Sequence, residues 1–281
     1  MKTRTLKLAV LNMYKENADN QGLRCIKEIL DRSEIKIEYS FFDVRSQFEI
    51  PDLDFDVYIS TGGPGNPLEY NVNWSDRYFN LIDRLFIWNK NNPDAPKFLY
   101  SICHSFQMLC SHTGIASITK REHVSFGIVP LKKTKAGLED PVLNGLDAIF
   151  YAADHRHFQV INPDLAKIDN INASIIVFDE IDPTQTVSRS VMAVRFSPEI
   201  VGVQFHPEAD VTGMKTIIAR ETVQAEIAKV YGKNKLGQIR SLLDDPHTIE
   251  RMNQTMIPMF LRSCQNRLTY SPIIEAVNES V

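Results

Sequence analysis

Along the first 115 residues, hydrophobic and polar positions alternate in a strand–helix rhythm. The apolar runs that predict buried strands are LKLAVLNMY, KIEYSFFDV, DFDVYIS and KFLYSIC. Between and after them, helical spacing of apolar residues occurs in LRCIKEIL, DRYFNLIDRLFIWNK and SFQMLCSHTG. Repeated strand–helix units build parallel sheets that helices cover. The pattern therefore predicts an α/β fold with an open, mainly parallel sheet and helices on both faces.

The rhythm changes after residue 120. Between residues 121 and 205 the apolar runs are shorter: VSFGIVPL, AIFYAAD, ASIIVFD, VMAVRF and IVGVQF. They predict an antiparallel extension or an edge ribbon beside the parallel sheet. From about residue 211 the pattern is helical, and Asp245-Pro246 predicts a helix start while Pro258 predicts an end or a kink. We therefore divide the chain into an α/β domain, 1–210, and a helical C-terminal extension, 211–281.

Composition and charge narrow the classes of function. The chain has 281 residues, of which 43% are hydrophobic and 23% charged, as in ordinary soluble proteins. A formal net charge of -4 and a pI near 6.0 give no reason to expect nucleic-acid binding. No apolar run approaches the ~18 residues of a membrane span, so no membrane contact is expected. Because Asn12 and Lys15 interrupt the apolar start, it predicts a first strand rather than a signal peptide.

The cysteines suggest a reduced protein without a metal site. All four are widely spaced, with no CxxC pair and no rhythm of metal ligands: Cys25, Cys103, Cys110 and Cys264. Free thiols are typical of the cytoplasm, so we expect a cytoplasmic protein. Because the spacing of metal ligands is missing, we expect no metal site, and we also expect no cofactor.

One cysteine stands between a predicted strand and a predicted helix. In KFLYSICHSFQMLC, Cys103 falls on the turn between the two elements. Such a nucleophile elbow needs small residues two positions before and after the nucleophile, and Ser101 and Ser105 meet that requirement. The turn places the sulfur at the carboxyl edge of the sheet, where the first turn of a helix stabilises a thiolate. A buried cysteine in a strand–helix joint accounts for this stretch equally well.

A histidine and a carboxylate stand together after another apolar run, in GVQFHPEAD. Of the seven histidines, only His206 ends a strongly apolar strand beside a carboxylate. His206 and Glu208 are two positions apart, so in extended chain they point to the same side, and Pro207 stiffens the link. Glu208 would then fix the imidazole tautomer that offers a lone pair to sulfur. The competing interpretation is a polar strand exit.

The loop TGGPGNP follows the third predicted strand. Gly62 and Gly63 let backbone N–H groups turn towards a developing oxyanion, because no side chain obstructs the approach. The N–H of His104, directly after the cysteine, is the predicted second donor. Many turns contain a similar glycine run, so the loop alone is weak support for catalysis.

In this order, the glycine loop, the strand–Cys–helix turn and His-Pro-Glu resemble the class I glutamine amidotransferases, a family of Cys-His-Glu enzymes. The likeness is closest to stand-alone GMP synthase-like members, which lack the fused synthetase, and it implies a flavodoxin-like fold. It implies hydrolysis of the glutamine side-chain amide, or of a related small amide, through a Cys thioester. The ammonia released would serve a separate synthetase subunit. The implied roles are nucleophile for Cys103, base then acid for His206, orienting carboxylate for Glu208, oxyanion donors for Gly63 and His104, and substrate contacts for Gly62, Ser105 and Gln107.

Two departures from the family pattern put the substrate in question. The family usually has glycine where this chain has Ser101 and Ser105, and the hydroxyl at 105 would narrow the pocket or bond another ligand. The segment FYAADHRHFQV replaces the usual substrate wall with Asp154, His155, Arg156 and His157. Arg156 is compatible with a carboxylate ligand or with an ordinary surface position.

Two alternative functions remain open at this point. The first is a homoserine O-acyltransferase-like enzyme, which shares the fold and the Cys-His-Glu triad but transfers an acyl group from a thioester donor. The second is a catalytically degenerate domain that binds a small molecule or a partner protein.

Overall fold

The computed structural model describes residues 4–14, 20–70, 73–180, 189–232 and 234–269. Within these residues, nine strands form one sheet in the order β2-β1-β3-β4-β9-β8-β7-β5-β6. The strands are β1 (Leu6–Asn12), β2 (Ile37–Asp43), β3 (Val57–Ser60), β4 (Phe98–Ile102), β5 (Ser117–Lys133), β6 (Ile149–Ile161), β7 (Ser174–Asp179), β8 (Val191–Arg195) and β9 (Ile200–Val203).

The sheet has a parallel part and an antiparallel part. Strands β2, β1, β3, β4 and β9 run parallel, with Ser60 opposite Ser101 and Ser101 opposite Gly202 in the central register. Strands β8, β7, β5 and β6 continue the sheet antiparallel. The predicted open sheet with an antiparallel extension is confirmed. The run IVGVQF is the exception within that extension, because its strand β9 pairs parallel with β4.

Helices cover both faces of the sheet, as predicted. They are α1 (Gln21–Asp31), α2 (Ser75–Asn91), α3 (His104–Thr113), α4 (Lys135–Glu139), α5 (Leu165–Asn170), α6 (Val211–Ile218), α7 (Glu221–Tyr231), α8 (Lys235–Leu243) and α9 (Ile249–Thr269). Ile26 of α1 and Phe260 of α9 belong to one apolar cluster with the sheet. Tyr78 of α2 and Phe106 of α3 belong to the other. Strands β3 and β4 are buried along their whole length because helices lie on both sides.

The C-terminal helices pack on the sheet rather than around a core of their own. The Phe260 ring of α9 lies 5.0 Å from the Tyr100 ring of β4, edge to face. Helix α9 begins at Ile249, after a turn in which the Asp245 carboxylate accepts from His247 N–H at 2.9 Å. It continues through Pro258, so of the end or kink predicted there the end is wrong, and the kink stays a prediction. The domain boundary at residue 210 stays a prediction.

Among the helices of the described residues, none combines the length and the apolar character needed to cross a membrane.

Candidate active site

Three neighbouring strands, β3, β4 and β9, deliver their following loops to the same edge of the sheet. The glycine loop follows β3, Cys103 follows β4, and the His-Pro-Glu segment follows β9. Carboxyl ends of adjacent parallel strands are where open α/β sheets form their ligand sites. A cavity of about 400 Å³ opens there, lined by Gly63, Cys103, His104, Gln107 and His206 among others.

Cys103 has a strained backbone conformation. Its φ is 48° and its ψ is -100°, a backbone conformation that residues other than glycine rarely adopt. Its N–H donates to Val203 O on β9 at 2.7 Å, and α3 begins at the next residue. Strain of this kind costs of order 1–3 kcal/mol and persists where the surroundings enforce it, commonly at active sites. A cysteine that merely filled a strand–helix joint would not need this conformation.

His206 lies beside the Glu208 carboxylate, at the cavity that Cys103 also lines. The backbone N–H of His206 donates to Ala153 O at 2.9 Å, and the ring Nδ1 lies 2.8 Å from Glu208 Oε1. Burial lowers the pKa of His206, but the Glu208 carboxylate and the nearby Cys103 sulfur outweigh it and raise the pKa well above its ordinary value. Because Nδ1 faces Glu208, Nε2 is the nitrogen left for the sulfur. The structure thus places Cys103, His206 and Glu208 on the wall of one cavity.

Glu208 is almost completely buried, with 1% of its surface exposed. No described group hydrogen-bonds its Oε2, so His206 is the partner that its carboxylate has. A buried carboxylate is costly unless it is paired with a cation. The pair therefore favours imidazolium over neutral imidazole at position 206.

Two positions of the loop after β3 leave little space for a side chain. A methyl group on Gly63 would lie 2.5 Å from Met13 O, and one on Gly62 would lie 3.0 Å from His206 Cε1. A side chain at position 63 would therefore displace backbone, whereas one at position 62 would displace the Tyr14 hydroxyl, 2.9 Å away, or the His206 ring. The backbone of Gly63 lines the cavity, whereas Gly62 is not among its lining residues.

His104 lines the cavity, and its backbone N–H is the predicted oxyanion donor. As the first residue of α3, its N–H has no acceptor within the helix. The imidazole is buried, and burial together with the nearby Arg45 cation lowers the pKa of His104 to about 3. The side chain is therefore neutral at physiological pH.

Two glutamines form a hydrogen-bonded chain that ends at the nucleophile. Gln107 Nε2 donates to Phe158 O at 3.1 Å and to Gln204 Oε1 at 3.0 Å. Since the Gln204 oxygen faces this donor, its Nε2 faces Cys103 Sγ, at 3.6 Å. Gln204 thus supplies a neutral donor to the Cys103 sulfur. The sequence interpretation missed Gln204, although it lies two residues before His206 in the quoted motif.

The hydroxyl of Ser105 does not point into the cavity. Its oxygen lies 2.9, 2.6 and 3.0 Å from the backbone carbonyl oxygens of Ser60, Thr61 and Ile102, so its one proton is donated within this group. Ser105 is fully buried, and so is Ser101 on β4. The extra hydroxyl at 105 therefore ties α3 to the end of β3, and a substrate contact for it has no support in the geometry.

The second departure, on β6, places an ion pair at the cavity wall. Arg156 is buried, so it is not a surface arginine, and its Nε lies 3.0 Å from Asp154 Oδ2. Ser125 also donates to this carboxylate oxygen, at 2.6 Å. The backbone carbonyl of His155 lies 3.9 Å from Cys103 Sγ. Among the described residues, no cluster of His, Cys, Asp and Glu is arranged to hold a metal ion.

Comparison with known proteins gives a family match and several structural neighbours. Residues 22–225 match the sequence model of the family described as glutamine amidotransferase class-I. A homoserine O-acetyltransferase of Acetivibrio thermocellus is 28% identical over 191 residues. This match covers 60% of the present chain and 58% of the relative, so the chain spans less than two thirds of that protein.

Two solved glutamine amidotransferases have a similar fold. The one from Thermotoga maritima has a TM-score of 0.59 at 18% identity, over 94% of this chain and 98% of its own. The one from Methylobacillus flagellatus also has a TM-score of 0.59, at 13% identity, over 99% of this chain and 100% of its own. At such identities the two neighbours establish the shared fold alone.

Proposed function

The chain belongs to the class I glutamine amidotransferase family, and from this premise we propose that it hydrolyses the side-chain amide of glutamine, or of a related small amide, to release ammonia. The observation that carries the proposal is the geometry at Cys103. A strained cysteine at a strand–helix turn lines one cavity with His206, whose Nδ1 lies within hydrogen-bond distance of the buried Glu208 carboxylate. A nucleophile, a base and an orienting carboxylate in this order are what acyl transfer to a thiol requires.

In the first half of the proposed reaction, the Cys103 thiolate attacks the amide carbon. The carbonyl oxygen becomes an oxyanion, towards which the backbone N–H groups of Gly63 and His104 donate. When the tetrahedral intermediate collapses, the C–N bond breaks and His206 gives its proton to the leaving nitrogen. The products of this half are ammonia and a γ-glutamyl thioester on Cys103.

In the second half, water attacks the thioester carbonyl while His206 accepts a proton from it. The C–S bond then breaks, glutamate leaves, and the imidazolium–thiolate pair is restored. Glu208 stays ionised throughout and holds the imidazole ring in place. The ammonia acceptor in this proposal belongs to a separate synthetase subunit, and reduced Cys103 suits a cytoplasmic setting.

Selective labelling tests the proposal. An electrophilic glutamine analogue should modify Cys103 alone, because burial and the nearby Asp210 raise the pKa of Cys25 to about 12. Burial also raises the pKa of Cys110 and of Cys264 well above the ordinary thiol value. Mass spectrometry of the digested protein identifies the labelled thiol, with Cys103→Ser as the control. Excess glutamine should protect Cys103, and ammonia release from glutamine should stop on labelling.

Acyl transfer from a thioester donor is the second candidate function. It is favoured by the similarity to a homoserine O-acetyltransferase and by Gln107, whose Nε2 is already bonded within the protein. A glutamine substrate would therefore find only the Gln107 oxygen unused. Consumption of an acyl-CoA thioester, with labelling of Cys103 but no ammonia from glutamine, would select this function. A Cys103 inert to all electrophiles would instead indicate a binding domain.

A further inference from the structure

The segment that carries His206 and Glu208 is held from outside by two helices. Asn253 of α9 donates from Nδ2 to the backbone carbonyl of Glu208 at 2.6 Å. Arg32, at the end of α1, donates to Asn253 Oδ1 and, at 3.2 Å, to its backbone carbonyl. The family match ends at residue 225, so Asn253 lies beyond the part of the chain that it covers.

The orientation of the Asn253 amide follows from its partners. A guanidinium only donates hydrogen bonds, so the amide oxygen must face Arg32 and the NH2 group must face Glu208. Asn253 is 4% exposed on a helix face whose neighbours Met252 and Met256 are fully buried. An unbonded amide in such surroundings would be costly. The contacts therefore fix which end of the Asn253 amide faces Arg32 and which end faces the Glu208 carbonyl.

A shift of the Glu208 carbonyl moves the side chain of the same residue. Its Oε1 bonds His206 Nδ1 at 2.8 Å, and small displacements of reacting groups reduce rates strongly. We propose that Asn253, fixed by Arg32, is a positioning residue for the Glu208–His206 pair, so that helix α9 completes the active site. The inference rests on the proposed chemistry of Cys103, His206 and Glu208.

The variant Asn253→Asp tests this role. Aspartate keeps the shape and an acceptor for Arg32, but it replaces the donor that faces the Glu208 carbonyl. We expect about a tenfold fall in the rate at which iodoacetamide alkylates Cys103, and a similar fall in kcat with KM changed less than about threefold. Gln254→Ala, one residue further on the exposed face of α9, is the matched control and should match the wild type in both assays. If Asn253→Asp does not fold, Arg32→Ala should give a smaller loss of the same kind.

A double-mutant cycle separates positioning from general stabilisation. In a Glu208→Gln background, Asn253→Asp should lower the Cys103 alkylation rate and kcat by less than about a further twofold. The reason is that the Glu208–His206 interaction, which Asn253 supports, is already weakened in this background. The same tenfold loss in that background, or unchanged alkylation and kcat with a lower melting temperature, would overturn the role. Because alkylation of Cys103 needs no glutamine, the experiment distinguishes failure of the proposed function from failure of the positioning role of Asn253. Slow alkylation in the wild type contradicts the proposed function, whereas fast alkylation that Asn253→Asp leaves unchanged contradicts only this inference.

Discussion

The buried imidazole of His104 should make the protein sensitive to acid. Only 3% of His104 is exposed, and burial followed by the Arg45 cation lowers the pKa of His104 to about 3. In the unfolded chain the pKa is about 6.5. As pH falls below that value, the unfolded chain binds a proton on this side chain that the folded protein does not bind. Stability must therefore fall with pH between about 6.5 and about 3.

The size of the effect follows from the two pKa values. A pH of about 5 lies roughly 1.5 units below the pKa of His104 in the unfolded chain. Each unit below that pKa favours the protonated unfolded chain by about 1.36 kcal/mol. His104 alone should therefore cost about 2 kcal/mol of unfolding free energy between about pH 7.5 and pH 5. Replacement by phenylalanine, which is planar and does not titrate, should abolish this loss.

Urea denaturation at the two pH values measures the effect for the wild type and for His104→Phe. A constant destabilisation by phenylalanine cancels, because only the change between the two pH values is compared. The exposed His247 provides the matched control, and His247→Gln should retain the wild-type loss. If the wild type and His104→Phe lose stability equally, within about 0.5 kcal/mol, the imidazole is not held neutral by burial.

Two further predictions concern the chemistry of the site. Glu208→Gln should keep the melting temperature and lower kcat roughly tenfold, whereas His206→Ala should lower kcat by about 10² to 10⁴ because the base itself is gone. If Glu208→Gln loses stability together with activity, the carboxylate is structural. Gln204→Met keeps the side-chain volume but removes the donor to Cys103 Sγ, so alkylation at about pH 7 should slow by about tenfold. Equal alkylation rates in Gln204→Met and the wild type would show that this contact does not stabilise the thiolate.

The sequence predicted the elements better than their arrangement. Strand and helix identity depend on local apolar spacing, which the pattern contains. Strand neighbours depend on hydrogen bonds to distant residues, which it does not contain. The four buried residues of β9 have the same pattern in a parallel as in an antiparallel strand, so the position beside β4 was not predictable. That position nevertheless decides the site, because it brings His206 next to Cys103.

The two serines around Cys103 show a similar limit for side chains. Spacing identified Ser101 and Ser105 as the small residues of a tight turn, and both are buried in such a turn. It gave no information on which way the Ser105 hydroxyl points. Because the hydroxyl bonds carbonyls at the end of β3, its effect is to fix α3 against the sheet. Of the two departures from the family pattern, the one that bears on the identity of the substrate is therefore on β6, where Asp154 and Arg156 form their buried pair at the cavity.

Asn253 illustrates what a sequence can indicate about a distant contact. It interrupts an apolar helix stripe, and a leucine there would bury more apolar surface at lower cost unless both ends of the amide are bonded. A buried asparagine among methionines therefore predicts partners, although their identity depends on the tertiary fold. The structure supplies them from residues 45 and 221 positions earlier, Glu208 and Arg32. The C-terminal helix is thus connected to the active site by a contact that apolar packing alone would not require.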